Sequence, residues 1–127
     1  MNLPDLANKL VLIVEDDEMS YLYLHQLMML TNAEIYREVS GRGALELFRS
    51  GKKFEMVFMD IQLPDMDGKW VTRKIREMDR DVPIIAQTAS RSAVEWEQIL
   101  EAGCTDMINK PYTMEMLFGV IEKHIHH

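Results

Sequence analysis

Leu10-Val11-Leu12-Ile13-Val14, followed at once by Glu15-Asp16-Asp17-Glu18, is the stretch on which the fold turns. Five apolar residues with no polar break describe a strand covered on both faces, because a half-solvated strand would alternate. The acidic run stops the strand, and a helical pattern follows to about Leu30. The same unit recurs downstream. Residues 34–39 make a more polar strand, and 41–50 form a helix with Ala44, Leu45, Leu47 and Phe48 on one side and Gly51 at its end. Residues 54–59 are a second buried strand that ends at Asp60. Pro64 and Asp67-Gly68 mark a turn-rich loop before a helix over 69–78. Residues 82–87 are a third buried strand, followed by a helix over 92–102 that Gly103 closes. Residues 106–109 make a short last strand before Lys110-Pro111, and Thr113 caps a final helix. Five strand-then-helix units predict an α/β fold, a parallel sheet with helices on both faces. One domain over 9–125 is expected, with residues 1–8 as a polar lead-in and His126-His127 as a tail.

Composition narrows the function classes. The chain has 127 residues and a net charge of −7, from 14 Lys+Arg against 21 Asp+Glu. That balance argues against direct nucleic-acid binding, which needs clustered cations. No run approaches the roughly 20 apolar residues that span a bilayer, and the first nine residues lack a signal-peptide pattern. A lone Cys104 cannot form an internal disulfide, which suits a reducing, cytoplasmic setting.

In an open parallel sheet, ligands sit beyond the carboxyl ends of the strands. The strand ends here carry Glu15, Asp16 and Asp17, then Asp60, then Thr88-Ala89, then Lys110-Pro111. Two carboxylates about 4 Å apart repel by on the order of 4 kcal/mol at an effective dielectric of 20. A cluster of Glu15, Asp16 and Asp60 therefore calls for a cation, and an oxygen-only ligand set with few protein groups suits Mg2+. A carboxylate beside such an ion can take a phosphoryl group as an acyl phosphate, with Lys110 and the Thr88 hydroxyl supplying countercharge and a hydrogen bond. Asp17, Glu18, Asp65 and Asp67 read instead as helix caps and solvated turn formers.

Val14-Glu15-Asp16-Asp17, the run from Met59-Asp60 to Asp67-Gly68, Gln87-Thr88-Ala89 and Asn109-Lys110-Pro111 together resemble the receiver domain of two-component response regulators. The resemblance covers about Lys9 to Ile125. It implies a flavodoxin-like sheet of order 2-1-3-4-5 and a phosphoacceptor role for Asp60, carried as 4-aspartylphosphate. It also implies Mg2+ on Asp16, Asp60 and the Gln62 carbonyl, with Glu15 acting through water, and phosphoryl contacts from Thr88 and Lys110. The acidic pair can be read as Asp16-Asp17, but Glu15-Asp16 directly follows the strand's valine, as in the family. The implied partners are a histidine kinase or a histidine-phosphotransfer protein, with phosphorylation-dependent dimerisation left open.

Three features depart from that pattern or add to it. Where the family carries an inward-turning aromatic ring, this chain has Met107, read either as core or as a switch that follows Thr88. Gln62 and Ser90, two residues beyond Asp60 and Thr88, flank the implied path of attacking water. The first helix is expected to turn Ser20, Tyr23, Leu24, Leu27 and Met28 to the core, leaving Met19, Leu22 and Met29 as an apolar stripe for a partner helix or for neighbouring segments. The start of the chain, Asn8 to Asp16, resembles receivers fused to hybrid sensor histidine kinases; a free-standing regulator is the other context. Two further readings are a receiver that only binds and a small aspartate-nucleophile phosphohydrolase. The latter is disfavoured by Gln62, where a second acid belongs. The expected role is thus a switch rather than a conventional enzyme.

Overall fold

The computed structural model describes residues 3–125. The element order is β1 (Leu10–Val14), α1 (Glu18–Met29), β2 (Glu34–Glu38), α2 (Gly41–Arg49), β3 (Met56–Asp60), α3 (Gly68–Met78), β4 (Ile84–Thr88), α4 (Ala93–Ala102), β5 (Asp106–Asn109) and α5 (Met114–His124). All strand pairs are parallel and the sheet order is β2-β1-β3-β4-β5, as the resemblance implied. β3 and β4 each begin two residues later than expected and include the terminal Asp60 and Thr88. Phe54 and Val82 remain buried as strand approaches.

Alternation along the strands divides the core in two. Leu12, Val14, Val57, Met59, Ile84 and Ala86 face α2, α3 and α4, whose Leu45, Phe48, Val71, Ile75 and Ile99 complete that layer. Val11, Ile13, Phe58, Ile85 and Ile108 face α1 and α5, meeting Leu24, Met28, Leu117, Phe118 and Ile121. Both layers exclude water, so β1 and β3 have no polar break before their ends. Among the residues of the expected lead-in, Leu6 is fully buried in the second layer, and its N–H donates to the Thr31 carbonyl at 2.7 Å. The packed unit therefore begins upstream of residue 9. His126 and His127 lie outside the described residues.

Local caps explain where the helices start. Asp17 accepts from the Ser20 N–H, Ser40 from Gly43, Ser92 from Glu95 and Thr113 from Met116. Each satisfies an amide that the first helical turn leaves free. Asp65 supplies a second cap from a distance, accepting from the N–H groups of Gly41 and Arg42. The loop after β3 is thereby fastened to the start of α2.

Tyr23 departs from its expected place. The buried stripe of α1 is Leu24 and Met28, four residues apart, with Leu27 and Tyr21 packed beside it. Tyr23 is turned about 100° from Leu24 and is 43% exposed. Met19, Leu22, Met29 and Leu30 are exposed as well, so neighbouring segments do not cover Met29 or Leu30.

Candidate functional site

Parallel pairing brings the strand ends to one level. Val14 is opposite Met59, Asp60 opposite Gln87, and Thr88 opposite Asn109. The residues that follow therefore gather at one rim. Glu15, Asp16, Asp60, Gln62, Thr88, Ala89 and Lys110 line a single cavity of about 270 Å³ together with Asp17, Ile61 and Gln87.

Three carboxylates in this cavity, from Glu15, Asp16 and Asp60, each bring one oxygen within 4.8 Å of the others. Glu15 and Asp60 are buried, whereas Asp16 is exposed. The Lys110 ammonium stands 2.7 Å from Glu15 Oε1 and 4.0 Å from Asp60 Oδ2. Burial, then a hydrogen bond to Glu15 and the charge of Glu15, push the Asp60 carboxyl up to about 7, against the pull of Lys110 and of the Gln62 N–H. Three carboxylates served by one ammonium leave a deficit of positive charge. An oxygen-only donor set open to solvent on the Asp16 side fits a hard divalent cation.

Gln62 and Thr88 each make a local backbone hydrogen bond at this rim, and Met107 lies on the neighbouring strand. The Gln62 N–H donates to Asp60 Oδ1 at 3.1 Å, and residues 62 and 67 form an isolated bridge that closes the loop between them. The Thr88 hydroxyl accepts from the Ser90 N–H at 3.0 Å. Met107 lies opposite Ala86 on β5, half-buried against the layer formed by α2, α3 and α4. The Ser90 carbonyl accepts from both the Trp96 indole and the Asn109 amide, each at 2.8 Å. That bracket ties the loop after Thr88 to α4 and β5.

Three side chains at the rim were given no role at the site from the sequence, although Gln87 stands in one of its motifs. Gln87 is 1% exposed; its Oε1 accepts from the Tyr112 hydroxyl, and its Nε2 has no partner among the described residues. Tyr112 is buried, and its carbonyl accepts from the Tyr23 hydroxyl. A polar glutamine one residue from the end of a buried strand was the signal for this pair. Arg37, on the edge strand β2, reaches over the β1–α1 loop to the Glu15 carbonyl and the Glu18 carboxylate. Nothing in its local sequence marks it.

Beside the acidic cavity runs a mostly apolar groove of about 630 Å³, lined by Met19, Ser20, Tyr23, Gln87, Ala89, Lys110, Pro111 and Tyr112. The two cavities share Gln87, Ala89 and Lys110.

Fold and rim together define a doubly wound α/β domain with a cation-competent acidic pocket at the carboxyl edge of its sheet. The chain matches the response regulator receiver domain over residues 11–122, and it belongs to that family, the receiver modules of two-component signalling. It is 32% identical over 124 residues to two-component response regulator 24 of Arabidopsis thaliana, covering 95% of this chain and 88% of that protein. It is 33% identical over 119 residues to the polar-differentiation response regulator DivK of Brucella anthropi, covering 92% and 96%. A 34% match over 121 residues to hybrid signal transduction histidine kinase L of Dictyostelium discoideum covers 90% of this chain but 7% of that protein. Among solved structures, the receiver domain of sensor histidine kinase PA1611 from Pseudomonas aeruginosa superposes with a TM-score of 0.85 at 28% identity, over 93% of this chain and 98% of that one. It carries a magnesium ion in its active-site cleft.

Proposed function

We propose that this domain accepts a phosphoryl group on Asp60 from a phosphohistidine of a partner protein in a Mg2+-dependent relay in the cytoplasm. The observation that carries the reading is the rim itself: a buried Asp60 beside the Glu15 carboxylate, with the Lys110 ammonium reaching both and Asp16 open to solvent next to them. Asp16, Asp60 and the Gln62 carbonyl, with Glu15 acting through water, would hold Mg2+, which would supply charge neutralisation for the incoming phosphoryl oxygens.

The remaining work falls to side chains. An oxygen of Asp60 forms the new P–O bond as the P–N bond to the donor imidazole breaks, and the imidazole leaves with the bonding electron pair. Lys110 exchanges its contact with Glu15 for one with the phosphoryl group. The Thr88 hydroxyl, now held by the Ser90 N–H, turns to a phosphoryl oxygen. Because Asn109 and Trp96 both grip the Ser90 carbonyl, that turn is felt in β5 and α4. Met107 sits on the same strand and follows the shift. Hydrolysis of the acyl phosphate resets the site.

The groove beside the site, with the exposed Met19, Leu22 and Tyr23 of α1, is where a histidine kinase or histidine-phosphotransfer helix would seat. The test is phosphoryl uptake from phosphoramidate with Mg2+, read by intact mass. The wild-type chain gains one phosphoryl group, and Asp60→Asn gains none. Uptake by Asp60→Asn would sink the assignment.

A further inference from the structure

The β1–α1 loop poses a problem of placement. Glu15 to Glu18 are four acids in succession, which repel one another. Glu15 is buried and held by Lys110, and its N–H donates to the Glu38 carbonyl at 3.0 Å. Asp16 is exposed, and its carboxylate makes no hydrogen bond or ion pair among the described residues. The region that carboxylate can reach is therefore set by the backbone that carries its Cα–Cβ bond.

The backbone is gripped from the neighbouring strand. Arg37 lies opposite Ile13 in the β1–β2 pairing. Its Nε donates to the Glu15 carbonyl at 3.2 Å, one terminal nitrogen to Glu18 Oε2 at 3.0 Å, and the other to the Asp16 carbonyl at 3.5 Å. The central carbon of the guanidinium lies over the Tyr21 ring, 4.0 Å from its centre, which anchors it to the first turn of α1. A planar fork with donors in fixed directions can hold three points at once and stack as well, whereas an ammonium on a flexible stem cannot. The Glu18 ion pair alone does not account for this arrangement, because the Glu18 side chain is 66% exposed and such pairs contribute little.

We infer that Arg37 is a positioning residue for the metal ligands, clamping the carbonyls of Glu15 and Asp16 so that their carboxylates converge on Asp60. This rests on the proposed Mg2+ site. The effect of removing Arg37 has a diagnostic sign. Loss of a positive charge near an acidic pocket, by itself, tightens cation binding. Loss of the clamp loosens it, and groups that orient metal ligands typically contribute about ten-fold or more to affinity.

The experiment measures Mn2+ binding by electron paramagnetic resonance, with Mg2+ competition, on the wild-type chain, Arg37→Met and Arg37→Lys, beside thermal melting of each. The Mn2+ dissociation constant is expected to rise about ten-fold in Arg37→Met and several-fold in Arg37→Lys. The Mg2+ concentration for half-maximal phosphoryl uptake should rise in parallel. Unchanged or tighter Mn2+ binding by folded Arg37→Met overturns the inference. If that variant does not fold, Arg37→Lys, which keeps the charge and loses the fork, decides by the same criterion. A wild-type chain that binds no Mn2+ removes the proposed function as well. One that binds Mn2+ alongside unaltered variants removes this inference alone.

Discussion

The ammonium of Lys110 and the carboxylate of Glu15 meet at 2.7 Å across 95 residues of sequence, with the Glu15 side chain only 1% exposed. This contact joins the loop after β5 to the end of β1 and neutralises the most deeply buried acid of the rim. Removing one partner strands the other in a poorly solvated place. Lys110→Met should therefore lower stability by about 3 kcal/mol in metal-free buffer. Mg2+ should restore more stability to that variant than to the wild type. Chemical denaturation with and without the ion reads both effects.

Asp60 titrates in the opposite sense from an ordinary surface acid. Its carboxyl is pushed up to about 7 from an ordinary value of 3.8, so between those values the folded state holds a proton that the unfolded state has released. Wild-type stability thus falls as pH rises through that interval. Asp60→Asn lacks this titration. In the presence of EDTA, its advantage over the wild type should grow from near zero at pH 4 to on the order of 1–3 kcal/mol at pH 8.

Asp106 behaves conventionally. Burial works to raise its carboxyl, but the His124 hydrogen bond, the Met107 N–H and the charges of Lys123 and His124 outweigh it and hold the group below its ordinary value. The contribution of Asp106 is full above the ordinary carboxylate range and is lost as pH falls through its lowered value. Asp106→Asn should be less stable than the wild type by about 1 kcal/mol or less at neutral pH. The two melting curves should converge at strongly acid pH.

Gly68 opens α3 directly beneath the site. A Cβ there would lie 2.3 Å from the Asp60 carbonyl oxygen and 2.8 Å from the Ile61 Cα. These are backbone atoms and cannot step aside. Gly68→Ala should destabilise the fold by roughly 1–3 kcal/mol and slow phosphoryl uptake, because the strand end carrying Asp60 must shift. Denaturation midpoints and uptake rates together check this.

Trp96 offers an optical report of the loop after Thr88. Its indole donates to the Ser90 carbonyl, while Trp70 is 43% exposed on α3. Phosphoryl uptake should change the emission of the Trp70→Phe variant, which retains Trp96. Emission of Trp96→Phe should stay constant.

The legible part of the molecule was the part governed by local pattern. Unbroken apolar runs at Leu10–Val14 and Met56–Met59 announced buried strands, and their abrupt ends at Glu15 and Asp60 announced the rim. Asp17 and Asp67 were legible as caps, because a cap is a contact between residues two or three apart. Tyr23 was misplaced because a helix's turn towards its core is set by the partners it packs against, not by its own apolar count.

By itself, the sequence determined the α/β class, the succession of strands and helices, and the acids, hydroxyl and ammonium that end at one edge. Residue spacing is enough for those features, since side chains in a strand alternate and loops follow strand ends. Only the tertiary structure decided which groups touch. Arg37 on Glu15 and Asp16, Gln87 on Tyr112, Asp65 on the start of α2 and Trp96 on Ser90 are contacts between separate elements. Their distances depend on how the layers stack, and no local periodicity encodes that. The acidic cluster was written in the chain, but the supports that aim it were set by packing.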